Sequence, residues 1–185
     1  MPVTPPFGAA DTHRIAYRQG NRLVADSERP GWATVYASLA EETSRHARLP
    51  PLPDCCLAFS VARVATVTRS CDASDDRRER AVLRPHLFSI VPAACASTRT
   101  VQGHPRILLV YLRRSLLDHF VLAGCDRDPR GVELIPRLAA HDRLVEQLAQ
   151  ALMSVLVTGA AGIGRPGGEP LRGHAGPGAR RPPGP

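Results

Sequence analysis

Residues 106–113 read Arg-Ile-Leu-Leu-Val-Tyr-Leu-Arg, a continuous apolar run held between charges. Such a run, short and flanked by charges, reads as a strand. Working outward, residues 83–92 (Leu-Arg-Pro-His-Leu-Phe-Ser-Ile-Val-Pro) form a second predicted strand, bounded by prolines. Residues 57–68 form a third, in which Phe59, Val61, Val64, Thr66 and Val67 are strand formers in a partly alternating run. Between these two strands, Asp72, Asp75, Asp76 and Glu79 face Arg77, Arg78 and Arg80 in a charged loop. It has no glycine at the sixth position and no closing glutamate, so it reads as a solvated hairpin connection and not as a calcium loop.

Helical signals follow the strands. Residues 115–123 predict a short helix with Ser115 as N-cap and Gly124 as terminator. Residues 132–135 predict a short strand or an extended link. From Asp142, a plausible N-cap residue, to Leu156, the residues Leu144, Val145, Leu148, Leu152, Val155 and Leu156 recur at three- and four-residue spacing. Arg143, Glu146, Gln147 and Gln150 fall on the other side, so this is an amphipathic helix. Its stripe either packs on its own domain or, through Leu144, Leu148, Leu152 and Val155, forms a dimer seam. Earlier in the chain, residues 32–48 predict a helix that Pro50-Pro51-Leu52-Pro53 would end. The fold class is α+β: short strands, then helices.

The chain has 185 residues and 19.9 kDa, enough for one domain with a tail. Residues 1–30 are polar and mixed and read as a loose N-terminal segment, leaving residues 31–157 as the domain. In residues 158–185, 15 of 28 positions are Gly or Pro, a composition that predicts disorder. Gly159, Gly162 and Gly164 lie there without the Lys-Ser or Lys-Thr that a phosphate-binding loop requires. The net charge is +7, but the basic residues, all Arg, are scattered and form no stripe for nucleic acid. Aromatics are 4%, so Leu, Val, Ile and Ala must build the core. No apolar run approaches the ~20 residues of a membrane span. The first ten residues lack a basic-then-apolar pattern, so a cytoplasmic protein is expected.

The chemical motifs are sparse. Cys55, Cys56, Cys71, Cys95 and Cys125 include no CxxC pair, and reduced core thiols are the expectation. Seven histidines form neither HxH nor HExxH, and no Gly-x-Ser-x-Gly elbow occurs. No metal, no cofactor and no catalytic set is therefore expected, and the chain is not expected to be an enzyme. Trp32, His86, Phe88 and Tyr111 are the candidate lining of a ligand pocket, with a purely structural core role as the other reading of Phe88 and Tyr111.

Several of these segments together resemble the sensor domain of AraC-type transcription regulators. They are Arg84-Pro-His-Leu-Phe-Ser-Ile-Val-Pro-Ala93, Ser97-Thr-Arg, Ile107-Leu-Leu-Val-Tyr-Leu, residues 127–137 and residues 141–152. The resemblance runs from about residue 32 to 156. It implies a cupin-like β-barrel or open antiparallel sheet followed by helices, a small-molecule effector and a homodimer. In that family a C-terminal domain with two helix-turn-helix units binds DNA. Residues 158–185 hold no such pattern, so DNA binding is expected of a full-length relative and not of this chain. A truncated or frameshifted product of a high-GC gene is the expectation, since misread high-GC codons yield Gly, Pro, Ala and Arg. The alternative is a small stand-alone cupin-type metal enzyme or ligand-binding protein.

Overall fold

The structure, a computed structural model, describes residues 5–71 and 78–161. Among the described residues, ten strands form two antiparallel sheets. The first holds β1 (Arg22–Asp26), β2 (Val35–Glu41), β4 (Cys55–Ala62), β7 (Phe88–Val91), β9 (Arg106–Leu112) and β10 (Arg137–Ala140), in the order β1-β2-β9-β4-β7-β10. The second holds β3 (Arg45–Leu49), β5 (Ala65–Cys71), β6 (Arg78–Leu83) and β8 (Ser97–Gly103), in the order β3-β8-β5-β6. Numbered alone, the eight strands β2 to β9 follow the jelly-roll order, in which consecutive strands alternate between two facing sheets except at the β5–β6 hairpin, which stays in the second. β1 and β10 extend the two edges of the first sheet. Helix α1 (Arg114–Cys125) follows β9, and helix α2 (Arg143–Ala161) follows β10.

Strand parity builds two cores. On β9, Ile107, Leu109 and Tyr111 face between the sheets, while Leu108 and Val110 face outward. The inner core continues with Tyr36, Cys56, Ala58, Val67, Leu83, Val91 and Val101. The outer core holds Ala37, Leu39, Phe59 and Phe88, and α2 covers it with Ala149 and Leu156. The first sheet is thus apolar on both faces, and that explains the unbroken apolar reading of 106–113.

Several expectations are corrected. Residues 32–48 are not a helix but β2 and β3, joined by a tight connection. In β2 both faces are buried, so no period of two shows in the sequence, and its Ala and Leu also suit a helix. The expected strand 57–68 is two strands, turning at Arg63, whose φ is +65°. The expected strand 83–92 divides into β6 and β7 at a turn where His86 has φ +74°. β8 had no sequence signal of its own.

Helix α1 begins after Arg113 without a side-chain cap, runs through Gly124 and ends at a left-handed Asp126. On α2, Asp142 does cap the N-terminus: its Oδ1 accepts from the backbone N–H of Leu144 (2.8 Å) and of Val145 (3.0 Å). α2 continues to Ala161, so residues 158–161 belong to the helix and not to a tail. Residues 162–185 and the charged stretch 72–77 lie outside the described residues. Nor are the described residues before 31 loose: β1 pairs with β2, and Phe7 and Ile15 are buried in the inner core.

Candidate functional site

The four candidate pocket residues do not converge. Tyr111 points between the sheets. Phe88 lies in the outer core under α2, and Trp32 packs against that same core. His86 sits on the β6–β7 turn, half exposed, with Nδ1 2.8 Å from Glu146 Oε1 of α2. His141 Nε2 lies 3.5 Å from the other oxygen of the same carboxylate. The cause is parity: Phe88 and Tyr111 occupy opposite faces of one sheet, so they cannot line one pocket.

The polar chemistry lies inside the barrel. A cavity of about 30 Å3 is bordered by His13, Cys56, Arg69, Ser89 and Arg99 among apolar side chains that include Ala58, Val67 and Leu109. That volume holds about two water-sized groups. Arg69 on β5 and Arg99 on β8 are direct cross-strand partners and face the same interior. Arg69, 3% exposed, donates from Nη1 to the carbonyls of Ile90 (2.8 Å) and Arg137 (3.1 Å), and from Nη2 to Glu79 (2.8 Å). Arg99 Nη1 meets both oxygens of the fully buried Glu42, at 2.7 and 3.0 Å.

Three guanidinium nitrogens are nonetheless buried without a partner among the described residues: Arg69 Nε, Arg99 Nη2 and Arg45 Nη1. The hydroxyls of Ser60 and Ser97 are in the same condition. A buried donor left unpaired costs ~1–3 kcal/mol, more when charged. Sequence reasoning missed both arginines. The available signal was parity: Arg69 continues the inward series Ala65, Val67, and Arg99 stands two residues before the inward Val101.

His13 completes the wall. Its Nε2 lies 3.0 Å from the Pro50 carbonyl and must donate to it, so in the neutral ring Nδ1 accepts from the Tyr111 hydroxyl at 3.2 Å. Burial pulls the His13 pKa below its usual value, and the positive charge of Arg18 adds to that, against the opposing Pro50 contact. Burial holds Tyr111 well above its usual value. It pushes the Cys56 thiol up to about 12 and Cys55 to about 11, so neither is a thiolate nucleophile at neutral pH.

This donor set does not suit a metal ion. Arginines occupy the wall, and His13 already spends both ring nitrogens. No group of three His, Cys, Asp or Glu side chains among the described residues could hold a metal. The chemistry the interior offers is hydrogen bonding and charge toward an anion or a polar small molecule.

The second feature is the outer side of α2. Leu144, Leu148 and Val155 are exposed, whereas Leu152 turns toward the sheet and packs on the outer core. Beside them runs an open apolar groove of about 700 Å3 lined by Trp32, Val35, Leu57, Leu112, Val145 and Leu148. No described helix is long and apolar enough to cross a membrane.

The topology and interior define a cupin-like fold. Among solved structures, the chain is similar to a cupin superfamily protein of Desulfitobacterium hafniense, with 15% identity and a TM-score of 0.40 over 52% of this chain and 80% of that one. It is similar to a mannose-6-phosphate isomerase candidate of Ralstonia eutropha, with 17% identity and a TM-score of 0.38 over 52% and 87%. It is also similar to the oxalate decarboxylase of Lactobacillus farciminis, with 19% identity and a TM-score of 0.40 over 70% of this chain but only 43% of that one. No family model and no curated protein matches the sequence. These likenesses correct the expectation that the chain is not an enzyme: the fold is shared with proteins named as enzymes, so the scaffold does not set catalysis aside.

Proposed function

We propose that the chain is a cupin-like module that binds a small molecule inside its barrel and self-associates through α2. The observation that carries the first half is the polar cavity between the sheets, bordered by Arg69, Arg99, His13 and Ser89 where an apolar filling would cost less. Supporting the second half, Leu144, Leu148 and Val155 recur at four- and seven-residue spacing on an uncovered side of α2, beside the Trp32 groove. The occupant of that seam is a second copy of this chain.

The finer reading is the sensor and dimerisation part of an AraC-type regulator. Its support is the sequence resemblance over residues 32–156 and the order barrel, α1, α2. Translating the genomic DNA downstream of codon 150 in all three frames tests it. A helix-turn-helix pair would tie the barrel to a regulator. Its absence would leave a stand-alone ligand-binding protein.

The interior site is tested by thermal shift with a panel of polar molecules and anions of two or three heavy atoms, such as formate, formamide and methanol, the size its cavity of about 30 Å3 admits. A ligand that binds only the folded state raises the melting temperature by mass action. Ala58 faces the cavity, so Ala58→Leu should fill it and abolish the shift while leaving self-association intact. A shift that persists in the folded variant would place binding elsewhere. Consumption of the bound compound would make the interior an active site.

A further inference from the structure

We infer that a cleft outside the barrel, between β1 and the last turns of α2, is a site for an apolar amino acid: Asp26 takes the ammonium, Arg29 takes the carboxylate, and Trp32 with its apolar neighbours takes the side chain. The inference is independent of the barrel interior, because α2 packs on the outward face of the first sheet.

The space suits a small molecule. The cleft has a volume of about 470 Å3 and is lined by Leu23, Trp32, Val155 and Leu156 together with Asp26 and Arg29. Ligand sites of about 300–1,000 Å3 are typically apolar with a few placed polar groups, and this cleft has that make-up. Of the seam residues on α2, only Val155 reaches it. Gly159, one turn further along α2, borders it too, and a Cβ there would meet nothing within 4 Å. No packing contact requires a glycine at that helical position.

The two charges in the lining are opposite in sign and do not cancel each other. Asp26 and Arg29 stand three residues apart, yet neither forms an ion pair among the described residues. Neutral donors fix Asp26 instead. Its Oδ2 accepts from the Tyr17 hydroxyl at 2.7 Å, and its Oδ1 accepts from the backbone N–H of Glu28 at 3.1 Å. The Tyr17 hydroxyl also lies 2.7 Å from the hydroxyl of the buried Tyr36. Burial first, then these hydrogen bonds, hold Tyr17 well above its usual pKa, so it stays a donor to Asp26. A carboxylate has about four acceptor positions, so Asp26 keeps room for an ammonium. The guanidinium of Arg29 offers the fork that a carboxylate pairs with. An acid with an apolar tail would leave Asp26 unanswered, and an amine would leave Arg29 unanswered. A zwitterion answers both, and an α-amino acid carries its two charges and its apolar side chain on one carbon.

The probes are L-leucine and L-phenylalanine, with binding measured by equilibrium dialysis. Trp32 is the chain's one tryptophan, so its fluorescence reports occupancy of the cleft. Each probe has two half-charged isosteres: 4-methylpentanoate and 3-methylbutylamine for leucine, 3-phenylpropanoate and 2-phenylethylamine for phenylalanine. Saturable binding of one amino acid with a fluorescence change, and at least tenfold weaker binding of both its isosteres, is the expected result. Asp26→Asn and Arg29→Gln should each weaken binding at least tenfold in proteins with an unchanged circular dichroism spectrum. Gly159→Leu, which keeps both charges and fills the cleft with a good helix former, should weaken it as much. An acid isostere that binds as tightly as the amino acid would leave only an anion site at Arg29 and overturn the assignment. An amine that does so would leave only a cation site at Asp26 and overturn it equally. Undiminished binding in folded Arg29→Gln and Gly159→Leu would put the ligand elsewhere, and no saturable binding of either amino acid would remove the site. Each of these failures leaves the interior site to its own thermal-shift test.

Discussion

His13 shows how one residue ties the barrel's stability to pH. It is buried, its Nε2–H is committed to the Pro50 carbonyl, and its pKa in the folded chain lies below the unfolded value of 6.5. Above pH 6.5 both states hold the ring neutral, and His13 contributes no pH dependence. As pH falls through 6.5 the unfolded chain takes up the proton and the folded chain does not, so stability declines until the folded pKa is reached. The melting temperature should therefore fall on acidification from pH 7.5 to pH 5.5. His13→Gln should flatten that slope, and an unchanged slope in the variant would assign the acid sensitivity to other groups. The cysteines give a second residue-scale prediction. Cys56 is buried with its pKa raised to about 12, while Cys125 is exposed on α1. Iodoacetamide at pH 8 should label Cys125 and spare Cys56 in the folded protein, read by peptide mass spectrometry, and label both after denaturation.

At the scale of elements, α2 has two faces with separable roles. Asp142 satisfies two backbone donors at its start, and Asp142→Ala should cost about 1 kcal/mol, measured by urea unfolding. Leu156 is buried on the outer core, and Leu156→Ala should cost ~2–5 kcal/mol by the same measurement. Leu148 is exposed in the single chain, so Leu148→Asp should leave the chain folded and convert a dimer to a monomer in sedimentation. An unchanged sedimentation coefficient in the folded variant would move the seam off α2. α2 was legible from sequence because it lies on a sheet with one side to water, which imposes the period of a helix on its residues. β9 was legible because its charges bound it. β2 was not, since the inner core on one side and the outer core with α2 on the other bury both of its faces and erase the alternation that marks a strand. The candidate site was less legible than the fold. Trp32, His86, Phe88 and Tyr111 were chosen as residue types that line pockets, but face and not type decides what meets. Arg69 and Arg99 become neighbours only through the register of β5 against β8, which no local signal records.

At the scale of the whole molecule, the N-terminal segment closes the barrel. Phe7 is 1% exposed, and its backbone N–H donates to the Trp32 carbonyl at 2.9 Å. The Arg113 guanidinium lies 4.5 Å over its ring, tying the segment to the end of β9. Ala9 and Ile15 join the inner core, and His13 and Ile15 border the cavity. Residues polar enough in sequence to read as a loose end thus form one wall of the interior, because a jelly roll of two sheets leaves its mouth open unless another segment covers it. Removing the anchor should loosen that wall. Phe7→Ala deletes a buried aromatic ring and its contact with Arg113, at a cost of ~3–5 kcal/mol. In a chain of this size that corresponds to a fall of roughly 6–20 °C in melting temperature, since each kcal/mol shifts the midpoint by about 2–4 °C. Amide exchange should separate local opening from global loss. If the segment is the wall, exchange in Phe7→Ala should quicken first at Ile15–Tyr17 and at strand β3, whose Leu49 borders the same cavity, while β9 at the centre of the first sheet stays protected. A uniform rise in exchange across both sheets would show instead that Phe7 supports the barrel as a whole.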